Sequence, residues 1–129
     1  MTVKNRASDK PVNIGIIGVG YWGKNLVKTI SNLGSLHTIC DSSQKTLNEV
    51  SASYPGTTTT TRYQNLLSNP EIHGVVIATP AASHYPIAKE ALLAGKDVFV
   101  EKPLALLVEE GEELVALAAK NKRILMVKY

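Results

Sequence analysis

Between residues 12 and 23 an apolar run breaks into spaced glycines: Val12-Asn13-Ile14-Gly15-Ile16-Ile17-Gly18-Val19-Gly20-Tyr21-Trp22-Gly23. The first part is β-branched and has no polar face at period two, which predicts a buried strand from Val12 to Ile17. Helical spacing then takes over at Trp22, Leu26, Ile30 and Leu33, and Gly34 stands where a left-handed residue closes a helix. The unit is strand, glycine turn, helix. In such a unit Gly18 allows the tight turn, Gly20 removes the side chain that would block a pyrophosphate from the main-chain N–H groups, and Gly23 lets the helix lie close to the strand. The N–H groups without intrahelical partners at the helix start complete an anion site. Glycine turns of this spacing also occur by chance and in kinases and methyltransferases, so the rest of the chain must decide.

A second strand, Leu36 to Cys40, ends at Asp41, about twenty residues beyond the glycines, where an acidic side chain would accept both ribose hydroxyls of an adenosine. The same carboxylate would repel a 2′-phosphate. Ser42, Ser43, Gln44 and Lys45 follow, with no Arg among them, so NAD is preferred over NADP, with Ser42 and Lys45 pointing the other way. Asp41 taken alone could equally cap the helix that begins near Ser43.

The alternation continues. A helix is predicted over Ser43 to Ser53 with Leu47 and Val50 inward, a short strand over Thr57 to Thr61, and a short helix carrying Tyr63, Leu66 and Leu67 that ends at Asn69-Pro70. Gly74 to Ala78 reads as a buried strand closed by Thr79-Pro80. A helix from Ser83, as N-cap, to Gly95 follows, with Pro86 in its first turn. Asp97 to Val100 is the next strand, ended by Glu101-Lys102-Pro103; a long helix from about Val108 to Asn121 and a strand from Arg123 to Val127 complete the chain. This order predicts an α/β fold, a doubly wound parallel sheet between two helical layers, with right-handed crossovers. On such a sheet ligands bind at the C-terminal ends of the strands. Those ends carry the glycine turn, Asp41, Thr79-Pro80 and Glu101-Lys102-Pro103.

A chain of 129 residues suits one domain, taken as residues 11–129 behind a flexible segment at 1–10. A net charge of +3 from scattered basic residues gives little support to binding nucleic acid or a membrane surface. No apolar stretch approaches the roughly 20 residues that span a bilayer, and Met1 to Lys10 lacks a signal-peptide core, so a cytoplasmic protein is expected. Cys40 is the only cysteine, which excludes an internal disulfide, and the three histidines have no metal-ligand spacing.

The sequence from Pro11 onward resembles the N-terminal domain of the Gfo/Idh/MocA oxidoreductases. The residues that carry the likeness are Gly18-Val19-Gly20-Tyr21-Trp22-Gly23-Lys24-Asn25, Asp41, Ala78-Thr79-Pro80 with His84, and Val100-Glu101-Lys102-Pro103-Leu104-Ala105. Gly-Tyr-Trp-Gly-Lys-Asn is most similar to members that oxidise a hydroxyl of a nucleotide sugar. The resemblance implies that Gly18, Gly20 and Gly23, with the amides of Tyr21 and Trp22, cradle the pyrophosphate, and that Asp41 holds the adenine ribose. It further implies that Thr79, Pro80 and His84 line the channel toward the nicotinamide and that Glu101 contacts its ribose region. Pro103 would fix the turn that aims Lys102 at the reacting centre. There a cation stabilises an alkoxide as hydride leaves and steers proton transfer.

Each assignment has an alternative. Lys102 could be a solvated strand-end lysine, Trp22 a plug over the first helical turn, and His84 a solvated histidine at a helix start. Ala81 stands where many relatives carry Asn, so one hydrogen bond to the cofactor is expected to be missing. Glu109, Glu110, Glu112 and Glu113 favour the dipole of the helix they open rather than forming a catalytic pair. Relatives continue past the last strand into a substrate domain, whereas this sequence stops at Lys128-Tyr129, so the substrate half is expected to be absent. The expectation is a cofactor-binding domain of a sugar oxidoreductase, poorly able to turn over substrate alone. The rivals are a non-catalytic NAD(H)-binding module that docks to a partner and a fragment whose bared surface pairs it into a homodimer.

Overall fold

The computed structural model describes residues 12–21 and 23–128, so the N-terminal segment expected at 1–10 and the assignments to Trp22 lie outside the described residues. Six strands form one sheet in the order β3-β2-β1-β4-β5-β6, with every neighbouring pair parallel. They are β1 (Ile14–Ile17), β2 (Leu36–Cys40), β3 (Thr58–Thr60), β4 (Gly74–Ile77), β5 (Asp97–Glu101) and β6 (Leu125–Lys128). The helices between them are α1 (Gly23–Asn32), α2 (Gln44–Ser51), the single turn α3 (Gln64–Leu67), α4 (His84–Leu93) and α5 (Val108–Lys120).

The parallel, doubly wound architecture agrees with the sequence pattern because the pattern encodes both faces of the sheet. Along β1, Ile16 packs with Ile39, Val76, Val27 and Leu47 on the face covered by α1 and α2. Its neighbour Ile17 packs with Cys40, Val75, Ile77 and Val98 on the opposite face, together with Ala88, Ala91 and Leu92 of α4 and Leu114 of α5. Adjacent residues enter different cores, as period-two geometry requires, and both must be apolar. Lys96 is pinned below the second core: although buried, it donates from Nζ to the carbonyls of Asn69 and Ile72 at 2.7 and 2.6 Å.

Two local expectations need correction. Leu33, expected on the inward stripe of α1, lies beyond the helix end at Asn32 and is 71% exposed; Leu26 and Ile30 of that stripe are partly buried, and Val27, which the stripe did not include, is fully buried. Ser83 makes no side-chain cap on α4. The chain enters α4 through a 3-10 turn at Ala81–Ser83, and the Ser83 hydroxyl is turned back to Thr79 Oγ1 and the Pro80 carbonyl, at 2.6 and 2.7 Å. On the α1 side, the outer strands carry Phe99 and Met126, which with Ile14, Leu26, Ile30 and Ile124 bound an apolar cavity of about 300 Å³.

Candidate nucleotide site

Parallel strands put all their C-terminal ends on one edge, and the loops there come from β1, β2, β3, β4 and β5. The strand order reverses between β1 and β4, where the chain leaves β1 toward β2 on one side and enters β4 on the other. A crevice opens at such a point.

The glycine turn lies over this reversal. Gly18 has φ of +93°, and a Cβ there would meet the Ala78 carbonyl carbon and oxygen at 2.8 Å, so the turn lies directly against the end of β4. A Cβ at Gly23 would strike the Gly18 carbonyl. The close approach that Gly23 permits is therefore to the turn itself, not to the strand. Around a Cβ at Gly20 nothing lies within 4 Å; the turn leaves that space open. Tyr21 beside it is exposed, and the first bond of α1 runs from the Lys24 N–H to the Gly20 carbonyl. The helix thus starts with its N-terminus at the crevice, where main-chain N–H groups favour an anion.

Asp41 is half-buried and joins two loops. Its Oδ2 accepts from the Val19 N–H at 3.0 Å and its Oδ1 from the Ser43 N–H at 2.9 Å. It does not cap α2; Ser43 does, its hydroxyl accepting from the Thr46 N–H at 3.1 Å. The carboxylate is held by amides from both sides, and each oxygen keeps a further acceptor site. It lines a cavity of about 390 Å³ together with Gly18, Gly20, Ser42, Thr79 and Pro80. Thr61 and Tyr63, not singled out in the sequence, line the same cavity because β3 delivers its following residues to the same edge. Cys40, one residue before Asp41, has its thiol pushed up to about 12, first by burial and then by the Asp41 charge, and is inert packing at neutral pH.

A second cavity, also about 390 Å³, is lined by Thr79, Ala81, His84, Glu101, Lys102 and Lys128. Lys102 is exposed at its mouth, and the bond to Pro103 is cis. Glu101 Oε2 is buried without a hydrogen-bond partner among the described residues and lies 3.7 Å from Lys128 Nζ. An acceptor oxygen left over in a polar cavity suits a ligand hydroxyl. His84 is not solvated: it is 2% exposed and forms the inner wall, Nδ1 2.7 Å from the Pro103 carbonyl and Nε2 2.7 Å from that of Thr79. Lys128 also went unnoticed in the sequence, although as the last residue of a parallel strand it ends on this edge. Two other acids have structural partners: Glu113 binds Lys89 at 2.7 Å and accepts from the Tyr85 hydroxyl at 2.6 Å, and Glu71 lies 3.5 Å from His37.

The family model described as an oxidoreductase family with an NAD-binding Rossmann fold matches residues 12–129. The chain belongs to the Gfo/Idh/MocA oxidoreductases. It is similar to Glycosyl hydrolase family 109 protein 2 of Shewanella sp. strain ANA-3, with 38% identity over 127 residues that cover 90% of this chain and 28% of the relative. Among solved structures it is similar to biliverdin reductase from Synechocystis sp. PCC 6803 in complex with biliverdin and NADP+ (TM-score 0.86, 32% identity), covering 92% of this chain and 38% of that one. It is also similar to the WlbA dehydrogenase from Bordetella pertussis in complex with NADH and UDP-GlcNAcA (TM-score 0.85, 29% identity), covering 92% of this chain and 36% of that one. The chain thus spans about a third of the length of these Gfo/Idh/MocA proteins and corresponds to their NAD-binding domain. No helix among the described residues is long and apolar enough to cross a membrane.

Proposed function

We propose that the chain is the cofactor half of an NAD-dependent oxidoreductase that moves hydride between nicotinamide and a hydroxyl of a sugar or nucleotide sugar. The observation that carries this reading is the Asp41 carboxylate, bonded to the Val19 amide inside the glycine turn and facing the same cavity as Gly18, Gly20, Thr79 and Pro80. The residues fit a dinucleotide. The space beside Gly20 and the start of α1 suit a pyrophosphate, Asp41 a ribose diol, and the orphaned Glu101 oxygen a second hydroxyl. When bound, the nicotinamide supplies or accepts the hydride. The Asp41 carboxylate, held in place by two main-chain amides, suits a 2′-hydroxyl and opposes a 2′-phosphate, which favours NAD over NADP. Lys102, at the mouth of the second cavity, would stand beside the substrate hydroxyl, stabilise the alkoxide and pass on its proton. A sugar as substrate is supported by the UDP-GlcNAcA bound to the similar WlbA dehydrogenase and by the glycosyl hydrolase name of the Shewanella relative.

The test uses Trp22, the only tryptophan, which falls within the glycine-turn sequence. NADH and then NADPH are titrated into the purified chain while Trp22 emission and energy transfer to the reduced nicotinamide are followed. Saturation by NADH at concentrations well below those needed for NADPH is expected, and the absence of a saturable response to either at millimolar levels refutes the reading. A second reading, an NAD(H)-binding module that docks to a partner or to itself, draws on the exposed Ile124 and Met126 beside α1. It predicts a concentration-dependent dimer in sedimentation, independent of NADH.

A further inference from the structure

His84 opens α4, yet its ring is directed at the main chain of two other segments: the Pro103 carbonyl faces Nδ1 and the Thr79 carbonyl faces Nε2, each at 2.7 Å. A carbonyl oxygen can only accept. A neutral imidazole has one N–H, so it satisfies one of these oxygens and turns a lone pair toward the other; both contacts are hydrogen bonds only when both nitrogens are protonated. At a side chain 2% exposed no bulk water can take over the second contact.

We infer that His84 is the positioning residue of this site. As a doubly donating imidazolium it ties the turn after β5, which carries Lys102, to the loop after β4, which carries Thr79 and Pro80, and so fixes the width of the cavity between them. The inference rests on the nucleotide-site reading, and it assigns His84 to the frame behind the ligand rather than to the ligand's own contacts. Loss of one ring proton releases one of the two loops. The charged groups in the same cavity are Glu101, Lys102 and Lys128. On its own helix Tyr85, Lys89 and Glu90 follow it, and from α5 Glu113 reaches Tyr85 and Lys89. Among the groups lining that cavity only Glu101 carries a charge opposite to an imidazolium.

Long-range proton–nitrogen correlation spectra of the nitrogen-15-labelled chain report the protonation of both ring nitrogens across a pH series, with His84→Gln assigning the signals. NADH affinity is measured over the same series. The expected result is that both His84 nitrogens carry protons in the form that binds NADH, and that affinity falls about tenfold as the second proton leaves, along the same curve. Glu101→Gln and Lys128→Gln keep that co-titration. His84→Gln, whose amide donates at every pH, binds NADH more weakly than the protonated wild type and with a flat pH profile. A single neutral tautomer throughout the range of NADH binding overturns the inference, as does affinity that ignores the ring titration. Should His84→Gln not fold, the wild-type spectra decide. Should NADH not bind at any pH, the nucleotide reading fails, while the brace is still judged by whether the Thr79 and Lys102 amide signals move with the His84 ring.

Discussion

Replacing Asp41 by Asn tests whether the carboxylate organises the glycine turn as well as facing the ligand. In the native protein one oxygen accepts from the Val19 N–H and the other from the Ser43 N–H. Asn keeps the shape and one acceptor, but its amide nitrogen cannot accept, so one main-chain N–H loses its partner. Val19 is fully buried, whereas Ser43 is exposed and its N–H turns to water. The Asn side chain is expected to keep Val19 satisfied at the expense of Ser43, at a cost of about 1–2 kcal/mol from the lost charge and the second bond. Asp41→Ala orphans the Val19 N–H as well, for about 2–3 kcal/mol. With a urea slope of about 1–3 kcal/mol per molar, the Ala midpoint falls by roughly 1 M and the Asn midpoint by about half that. Ser43→Ala is the internal control: it removes the cap on the Thr46 N–H for about 1 kcal/mol but leaves Asp41 in place and NADH affinity unaltered. Urea unfolding followed by circular dichroism, with amide exchange at Val19, reads all three. An Asp41→Ala midpoint within about 0.2 M of wild type, on that urea slope, refutes the argument.

Gly18→Ala and Gly20→Ala should separate fold from function. The first places a Cβ at a φ of +93° and 2.8 Å from the Ala78 carbonyl, costing more than about 2 kcal/mol in a thermal melt. The second meets nothing within 4 Å and should melt within about 0.5 kcal/mol of wild type while weakening NADH, and unchanged NADH affinity would exclude a pyrophosphate there. Because the Cys40 thiol sits near 12, it should resist aromatic disulfide reagents at pH 8 in the folded chain and react on unfolding in urea; rapid native reaction contradicts its burial. Burial lowers the pKa of Lys96 below the ordinary 10.5. Between the lowered value and 10.5 the unfolded chain binds more protons, so stability should rise with pH through that window. Lys96→Met should lack the rise, and parallel urea profiles for the two proteins would count against it.

The central strands β1 and β4 could be read from the sequence because each is a short β-branched run that must be apolar on both faces, and Leu36 to Cys40 was delimited to the residue. Helix ends were less legible. The turn at Ala81–Ser83 makes Ser83 look like a cap, and its hydroxyl is instead drawn to Thr79 and Pro80 by the tighter 3-10 geometry. The site was legible as a set of strand ends but not as contacts. His84 was ambiguous because its two partners lie 5 and 19 residues away and are brought together only by the pairing of β4 with β5. Asp41 offered two roles in the sequence, of which the helix cap falls to Ser43, while its bond to the amide of Val19, 22 residues before it, had no local sequence signal. Lys128 went unnoticed because the expected strand stopped at Val127, whereas β6 runs one residue further and pairs Lys128 with Glu101.

The reversal of strand order at β1 and β4 divides the molecule along a seam. Residues on one side of it, from β1 to β3, and on the other, from β4 to β6, form two locally wound halves, and among the described residues β1–β4 is the strand pairing that joins them. Gly18 rests against Ala78 at the top of that joint, so a nucleotide seated there would act as a staple across the two halves. Each increment of occupancy would then suppress partial opening of the sheet as well as global unfolding. Amide protons of Ile16 and Val76, on either side of the seam, would slow together as NADH is added, and the domain would exchange as one cooperative unit only when its ligand is present.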